Sequence, residues 1–321
     1  MNIDASKKIF LRDVIGNYMT TLGARDATVA VVNADLSGTC RNRSFVERFP
    51  ERSYNMGIAE QNMVSFAAGL AHEGFHAYAF SMAPFLTMRA CEQVRTDVAY
   101  GDLPVTFIGA YAGVSGGISG ATHWSVEDIA ITCGIPDITV LEPCDGVQAE
   151  RMLDWTLTQP HPVYIRTSVE PMLGIYKDAN DAFEMGKANT IIDGDDGAFL
   201  CAGITVKYAI AAARAIERNT GKHIRVVDMH TIKPIDCAAV RAAAATGTIV
   251  AAQDHNIYGG LGTQVAQVLT EEGLGVRFAN VGIPDRFVAM AHAPYLYHQF
   301  GFDAEGLEKK MLELLGQEGG Q

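Results

Sequence analysis

Apolar runs of strand length alternate with segments of helical periodicity along most of the chain. In the first half, strands are predicted at residues 28–33, 76–80, 104–109, 138–141 and 162–166. Helices are predicted at residues 8–22, 59–72, 85–100, 125–133 and 146–157. Strands and helices that alternate in this way are typical of α/β proteins with largely parallel sheets.

The alternation is interrupted once, where Pro171, Gly174 and several charged residues follow one another without periodicity. It then resumes, with strands predicted at residues 198–202, 223–228, 247–252 and 275–280. The helices between them are predicted at residues 205–218, 236–245 and 262–272. We therefore predict two parallel-sheet α/β domains, residues 1–170 and 189–321, with a linker over residues 171–188.

Composition and charge exclude several classes of protein. Of the 321 residues, 48% are hydrophobic and 19% charged, which is ordinary for a globular protein. No apolar run is long enough to cross a bilayer, and the first twelve residues lack the apolar core of a signal peptide. We therefore expect a cytoplasmic protein without membrane contact. The net charge of −12 argues against nucleic-acid binding.

Cysteine and histidine spacing indicates neither a disulfide framework nor a metal site. The six cysteines are widely scattered without a Cys-x-x-Cys pair, and the nine histidines are dispersed as well. We therefore expect reduced thiols and predict no metal ligand in this chain.

One candidate motif opens the helix predicted over residues 59–72. Residues 55–62 read Asn-Met-Gly-Ile-Ala-Glu-Gln-Asn, and the helix that follows is mostly small and apolar. A carboxylate in such a setting is costly to bury unless it is paired or hydrogen-bonded. Glu60 is therefore either a functional buried acid or an ordinary first-turn glutamate that the helix dipole favours.

Two further segments are rich in glycine. Residues 113–123 read Gly-Val-Ser-Gly-Gly-Ile-Ser-Gly-Ala-Thr-His, and residues 254–262 read Asp-His-Asn-Ile-Tyr-Gly-Gly-Leu-Gly. Glycine allows a backbone to approach a ligand closely, and His123 lies where the first loop enters a helix. The first loop is neither a Walker loop nor a dinucleotide fingerprint, and the alternative is a flexible surface loop.

Together, the Glu60 motif, the Thr-His pair and the segment 254–262 resemble the C-terminal half of transketolases and 1-deoxyxylulose-5-phosphate synthases. They also resemble the beta subunits of 2-oxo-acid dehydrogenases. The resemblance covers about residues 11–314. It implies a thiamine-diphosphate enzyme built from a pyrimidine-binding domain and a transketolase C-terminal domain.

The resemblance implies cofactor contacts for four residues. Glu60 is similar to the catalytic glutamate that hydrogen-bonds N1′ of the cofactor aminopyrimidine and so promotes deprotonation of the thiazolium. Phe85 matches the aromatic residue that stacks on the pyrimidine ring, and Phe80 would be its neighbour on the pocket wall. Asp35 matches an acidic position near the cofactor edge. Plain core packing is the alternative for both phenylalanines.

It also implies substrate contacts. His123 is similar to the family histidine that contacts hydroxyls of the substrate, and we treat it as catalytic as well. Arg12 and Thr39 fall at positions of the substrate-phosphate site, and Arg166 resembles a second phosphate-binding arginine. For Arg12 and Arg166 the alternative is an ordinary surface cation.

Three departures from the family leave the substrate undetermined. Ser119, which we still count as a substrate-contacting position, replaces an acidic residue that reads a substrate hydroxyl. Tyr111 replaces a histidine, and Val169 replaces an arginine of the synthases. A short sugar, or one of unusual stereochemistry, is compatible with these changes.

The family motif that holds the cofactor diphosphate is missing. In the family, a Gly-Asp-Gly motif and an asparagine about thirty residues later hold the diphosphate through Mg²⁺, which demands near-octahedral oxygen ligands. Only residues 194–197, Gly-Asp-Asp-Gly, look similar, and they are typical of a turn. The resemblance therefore implies an N-terminal partner subunit that carries the diphosphate and Mg²⁺ site, in a heterotetramer of two chains of each kind.

The favoured function is transketolase activity, the transfer of a two-carbon ketol unit from a ketose or ketose phosphate to an aldose acceptor. The alternatives are a beta subunit of a 2-oxo-acid dehydrogenase, a decarboxylating synthase that makes deoxyxylulose phosphate, and a non-catalytic regulatory subunit. For the second domain we expect its helices and the His255 segment to form dimer contacts, or alternatively His255 to line a regulatory site.

Overall fold

Two sheets form the framework of this computed structural model, which describes residues 4–316; residues 1–3 and 317–321 of the two predicted domains lie outside the described part. The strands are β1 (Asp4–Ile9), β2 (Val29–Asn33), β3 (Ser53–Asn55), β4 (His76–Met82), β5 (Val105–Ala110), β6 (Thr139–Leu141), β7 (Val163–Arg166), β8 (Met172–Gly174), β9 (Asn189–Ile192), β10 (Gly197–Cys201), β11 (Ile224–Asp228), β12 (Thr231–Lys233), β13 (Thr248–Asn256) and β14 (Arg277–Ile283).

The helices alternate with these strands. They are α1 (Leu11–Arg25), α2 (Arg43–Arg48), α3 (Glu60–His72), α4 (Cys91–Gln93), α5 (Asp128–Gly134), α6 (Gly146–Thr156), α7 (Ile204–Thr220), α8 (Cys237–Ala244), α9 (Leu261–Glu271), α10 (Ala293–Phe300) and α11 (Ala304–Leu314). Two π-helical segments, Phe85–Arg89 and Val94–Ala99, flank α4. None of the helices in the described part is both long and apolar enough to span a membrane.

The first sheet has seven strands in the order β12-β6-β7-β5-β4-β2-β3. Its neighbouring strands run parallel except at the β12 edge, where β12 is antiparallel to β6. The strands β2, β5 and β7 are buried along their whole length. Helices cover both faces of the sheet, which explains why these strands are near-continuous apolar runs.

The second sheet has five strands in the order β14-β13-β10-β11-β9. The four strands β14, β13, β10 and β11 are parallel, and β9 closes one edge in the antiparallel direction. A separate two-stranded ribbon pairs β1 with β8, so the predicted linker contains a short strand. The predicted α/β class with two parallel-sheet units is confirmed.

One strand crosses from the second unit to the first. Strand β12 follows β11 of the second sheet in the chain, yet it pairs with β6 of the first, with Thr231 opposite Leu141. The two units are therefore joined by backbone hydrogen bonds as well as by the linker. The local pattern did not predict this strand, because a three-residue edge strand is defined by its distant partner.

The helix predicted over residues 85–100 is irregular. It consists of the π-helical segment Phe85–Arg89, the short α4 and the π-helical segment Val94–Ala99. Each π-helical turn accommodates one extra residue and shifts the side chains that follow, and such turns are frequent at functional sites. The segment lies against α3 and carries Phe85 and Arg89.

Candidate functional site

Glu60 is the first residue of α3, and its side chain is only 1% exposed. Its carboxylate oxygen Oε2 accepts a hydrogen bond of 2.7 Å from Nη1 of Arg89. The helix N-terminus also favours a negative charge here, and α3 has no side-chain cap. Glu60 is thus a buried, paired carboxylate as well as a first-turn glutamate, so the two alternatives from the sequence coexist.

Arg89 is a site residue that the sequence analysis missed. Its guanidinium carbon lies 4.2 Å from the centre of the Phe85 ring, while its Nη1 pairs with Glu60. The Arg89 side chain is 46% exposed, so it reaches the buried carboxylate from the surface. Its spacing from Phe85 was a usable signal, because residues four apart on a helix are neighbours.

His123 completes the Glu60 cluster, which we define as Glu60, Phe85, Arg89 and His123. The His123 and Phe85 rings meet edge to face, with centroids 5.8 Å apart. His123 Nδ1 also lies 2.8 Å from the hydroxyl of Thr122. Three separate segments therefore bring together the glutamate, the aromatic ring and the histidine that the sequence singled out.

The glycine-rich loop that carries His123 is held by the second unit. The backbone N–H of Val114 donates a hydrogen bond of 2.9 Å to Oδ1 of Asp254. Gly113 has a φ of +64°, and a Cβ at this position would collide with the Asp254 carboxylate. Only glycine meets both demands. Burial raises the pKa of Asp254 to about 7.

The His255 side chain, around which we expect dimer contacts or a regulatory site, is itself buried within the chain. Its Nδ1 lies 2.8 Å from the carbonyl of Asn256, and its Nε2 accepts a hydrogen bond of 3.4 Å from the Ala130 backbone in α5. Burial lowers the pKa of His255 to about 4. The residue therefore packs the second unit against the first.

The burial of Arg166 argues against the prediction that it binds substrate phosphate. Its side chain is 2% exposed and donates hydrogen bonds to Asp128 at 2.8 Å and Glu142 at 2.7 Å. A further bond of 2.6 Å reaches the backbone carbonyl of Asp254. Since two carboxylates satisfy the guanidinium inside the protein, it is unavailable to a phosphate. We call Arg166, Asp128 and Glu142 the Arg166 network.

The structure places Phe80 in the hydrophobic core rather than on a pocket wall. Its side chain is fully buried and belongs to the hydrophobic cluster that contains Leu11 and Ile15 of α1. The core residues of α3 belong to the other cluster, on the opposite face of the sheet. Because successive side chains of a strand point to opposite faces, Phe80 points away from α3.

Of the remaining candidates, Arg12 lies in the first turn of α1, and the others lie in loops that follow strands. Arg12 Nη1 lies 3.4 Å from the hydroxyl of Tyr111, and within the described residues Arg12 Nε has no hydrogen-bond partner. Asp35 is exposed beyond β2 and accepts a hydrogen bond of 3.3 Å from Asn55. It shares a polar surface depression with Thr39. Ser119 is half-buried in the glycine-rich loop.

The Glu60 cluster fits an aromatic heterocycle that carries hydrogen-bonding nitrogens. A buried carboxylate provides the acceptor, Phe85 provides a flat face, and the cation between them is half-exposed. Among the side chains that the structure describes, no three His, Cys, Asp or Glu residues come close enough to hold a metal ion. The cluster therefore suits the ring of thiamine diphosphate rather than its metal-bound diphosphate.

Two family models match nearly all of the chain. The model for the transketolase pyrimidine-binding domain matches residues 7–171, and the model for the transketolase C-terminal domain matches residues 186–307. The chain belongs to the transketolase family. The resemblance that the sequence motifs indicated is thereby confirmed.

Curated relatives of similar length are transketolase subunits. One of the subunits of apulose-4-phosphate transketolase from Phocaeicola vulgatus is 35% identical over 97% of this chain and 99% of its own length. A putative transketolase C-terminal section of Methanocaldococcus jannaschii is 35% identical over 96% of this chain and 97% of its own length. These relatives favour the transketolase interpretation over a dehydrogenase beta subunit.

Solved structures agree. A split-gene transketolase, described as an inactive beta4 tetramer, has a TM-score of 0.86 and 31% identity over 98% of this chain and 100% of its own. The transketolase of Leishmania mexicana has a TM-score of 0.83 at 21% identity, covering 98% of this chain and 46% of its own. The fold of this chain therefore spans about half the length of the Leishmania transketolase.

Proposed function

We propose that this chain is the C-terminal subunit of a thiamine-diphosphate-dependent transketolase, which transfers a two-carbon ketol unit from a ketose or ketose phosphate to an aldose acceptor. The observation that carries the proposal is the Glu60 cluster. In it, a buried carboxylate, an aromatic ring and a loop histidine meet at one end of α3. No core-packing role explains a buried glutamate whose partner approaches from the surface.

Each residue of the cluster has a separate task in this proposal. When bound, thiamine diphosphate supplies the electron sink that allows the bond next to a ketose carbonyl to break. Glu60 accepts the hydrogen bond of the aminopyrimidine N1′, and Phe85 packs against the aminopyrimidine ring. His123 donates a hydrogen bond to a substrate hydroxyl, with Ser119 beside it on the same loop. Asp35 lies at the cofactor edge.

A partner subunit is the second part of the proposal. It would supply the oxygen ligands for Mg²⁺ and hold the diphosphate, in a heterotetramer of two chains of each kind acting in the cytoplasm. Large apolar side chains lie exposed next to the site, namely Ile58, Met88, Ile118, Phe287 and Met290. Met88 and Phe287 line one depression, and Met290 lies against the backbone of Gly120. Exposed apolar surface of this kind is typical of protein interfaces.

The substrate proposed is a ketose with an anionic end. Arg12 is the cation proposed to bind this end, and its Nη1 lies 3.4 Å from the Tyr111 hydroxyl. Two relatives carry names of ketoses with an anionic group, apulose-4-phosphate and 6-deoxy-6-sulfo-D-fructose. A guanidinium suits either a phosphate or a sulfonate.

The test is reconstitution with an N-terminal transketolase subunit from the same organism. With thiamine diphosphate and Mg²⁺, the mixture should transfer glycolaldehyde from xylulose 5-phosphate to an aldose, and neither subunit alone should do so. E60Q should lower turnover at least about hundredfold, because the contact to N1′ is lost. The control E73Q makes the same change at the exposed C-terminal end of α3.

Three results would contradict the proposal. The first is full turnover by E60Q, which would favour the non-catalytic interpretation. The second is decarboxylation of pyruvate without ketol transfer, which would move the protein to the synthases or dehydrogenases. The third is tight cofactor binding by this chain alone, which would remove the need for a partner.

A further inference from the structure

Arg89 makes two contacts at once, and both are contacts that the proposed function assigns to the cofactor. Its Nη1 donates to Glu60 Oε2 at 2.7 Å, and its guanidinium lies 4.2 Å from the centre of the Phe85 ring. The aminopyrimidine of thiamine diphosphate, in the form that carries a proton on N1′, would also donate to Glu60 and pack on Phe85. A guanidinium and an aminopyrimidine are alike in being flat groups with N–H donors at their edge.

We infer that Arg89 is an internal stand-in for the aminopyrimidine: it occupies the cofactor's place on Glu60 and Phe85 and is displaced when the cofactor binds. The inference rests on the proposed function, because it takes the cofactor contacts of Glu60 and Phe85 from there. Arg89 is thus a positioning residue. It binds neither cofactor nor substrate, and it holds Glu60 and Phe85 in place before the cofactor binds.

The need for a stand-in follows from the burial of Glu60. A carboxylate that is 1% exposed is costly to desolvate when it has no partner. The helix dipole of α3 offsets only part of that cost. Without Arg89, either water would enter at the N-terminus of α3 or the Glu60 side chain would turn outward to solvent. With Arg89, the carboxylate stays buried and hydrogen-bonded.

The exposure and the local structure of Arg89 also allow its side chain to leave Glu60 and Phe85. The Arg89 side chain is 46% exposed, and the contacts to Glu60 and Phe85 account for its polar and stacking interactions in the described structure. It ends the π-helical segment Phe85–Arg89, so it is carried by an irregular turn rather than by a core helix. Arg166, by contrast, is fixed by several buried partners and has no route to solvent.

A stand-in competes with the cofactor, whereas a supporting residue would assist it. The two roles therefore predict opposite signs for the same variant. In the reconstituted complex with Mg²⁺, R89Q should bind thiamine diphosphate about tenfold more tightly than wild type by calorimetry, roughly 1.4 kcal/mol. Its association rate should rise as well, because no ion pair must first be broken. R89K, which keeps the ion pair but lacks the flat face, should fall between the two.

The matched control is R95Q, which removes an equal charge from the exposed neighbouring segment and should leave affinity unchanged. In an E60Q background, R89Q should no longer change the affinity, because the shared partner is gone. R89Q binding equal to or weaker than wild type, while E60Q weakens binding, would overturn the stand-in and leave the proposed function intact. No binding by the wild-type complex, or equal binding by E60Q, would overturn both.

Discussion

Two arginine–carboxylate pairs of equal length lie in very different surroundings. Arg89 and Glu60 meet at 2.7 Å, and so do Arg166 and Glu142. Arg89 is 46% exposed and touches one carboxylate, whereas Arg166 is 2% exposed and touches two. The Arg89–Glu60 pair lies in the proposed cofactor site and must separate when the cofactor binds. The Arg166–Glu142 pair lies in the buried contact between the two units and must stay intact.

The difference lies in what surrounds the guanidinium. The Arg166 network joins β7, α5 and β13, since Arg166 also donates to the Asp254 carbonyl, and Gln253 of β13 donates to Glu142. Every one of these groups is buried. Exposure and the number of partners, rather than the distance of the pair, separate a structural arginine from one that is able to move.

The largest expected effect follows from breaking the Arg166 network. R166Q leaves Asp128 and Glu142 buried without their cation and should lower the free energy of unfolding by about 3–5 kcal/mol. Urea denaturation followed by circular dichroism measures the loss. R25Q is the matched control, because it breaks an exposed pair of 2.6 Å and should cost less than about 1 kcal/mol. Equal losses for the two variants would contradict the contrast.

The link between the two regions is tested at Gly113. G113A should cost about 2 kcal/mol, because it adds a Cβ to a residue with φ of +64° and drives it into the Asp254 carboxylate. The control is G221A, where φ is +73° but nothing lies within 4 Å of the new Cβ. A loss at Gly113 no larger than that at Gly221 would show that Asp254 does not restrain the loop.

The surroundings of the Arg166 network also predict a pH dependence. Burial lowers the pKa of His255 to about 4, so between this value and 6.5 the unfolded chain binds more protons than the folded one. Its contribution to stability is present above pH 6.5 and is lost as the pH falls, by about 2 kcal/mol at pH 5. H255Q should remove that loss, whereas H72Q, at an exposed histidine, should not.

Asp254 acts in the opposite direction over the same range. Burial raises its pKa to about 7, so its contribution is present at low pH and is lost as the pH rises towards 7. The informative quantity is therefore the difference between H255Q and wild type in urea unfolding at pH 7 and pH 5. A difference that stays constant with pH would contradict the role assigned to His255.

The smallest effect is expected for R89Q in the chain alone. Water can reach the half-exposed end of the pair and replaces part of the lost contact, so the loss in unfolding free energy should be about 1 kcal/mol. R95Q should cost less still. A loss as large as that of R166Q would show that Arg89 belongs to the core, and it would contradict a residue that leaves when the cofactor binds.

The fold could be predicted from the sequence better than the site, because most strands are recognisable from their own apolar residues. The apolar runs that became β2, β5, β7 and β10 needed no knowledge of their partners. Strand β12 and the π-helical turns were not predicted, since the first depends on distant pairing and the second on side-chain packing. The burial of Arg166 was not predicted for a similar reason, because Asp128 and Glu142 are 38 and 24 residues away in sequence.

Within the site, the motif residues were easier to find than their neighbours. Glu60, Phe85 and His123 came from the resemblance, and the structure brings them together. Arg89 belongs to no motif that was singled out, and only its spacing from Phe85 pointed to it. For Phe80 the choice between pocket wall and core stayed open, because sequence proximity to Phe85 does not fix the face of the strand on which a side chain lies.

The most direct test of the central claim is a crystal structure of the reconstituted complex with thiamine diphosphate and Mg²⁺. We predict that the aminopyrimidine N1′ lies within about 3 Å of a Glu60 carboxylate oxygen, the usual hydrogen-bond distance, with Phe85 against the ring. A cofactor ring that binds away from Glu60, with the carboxylate still enclosed in its own chain, would contradict this claim.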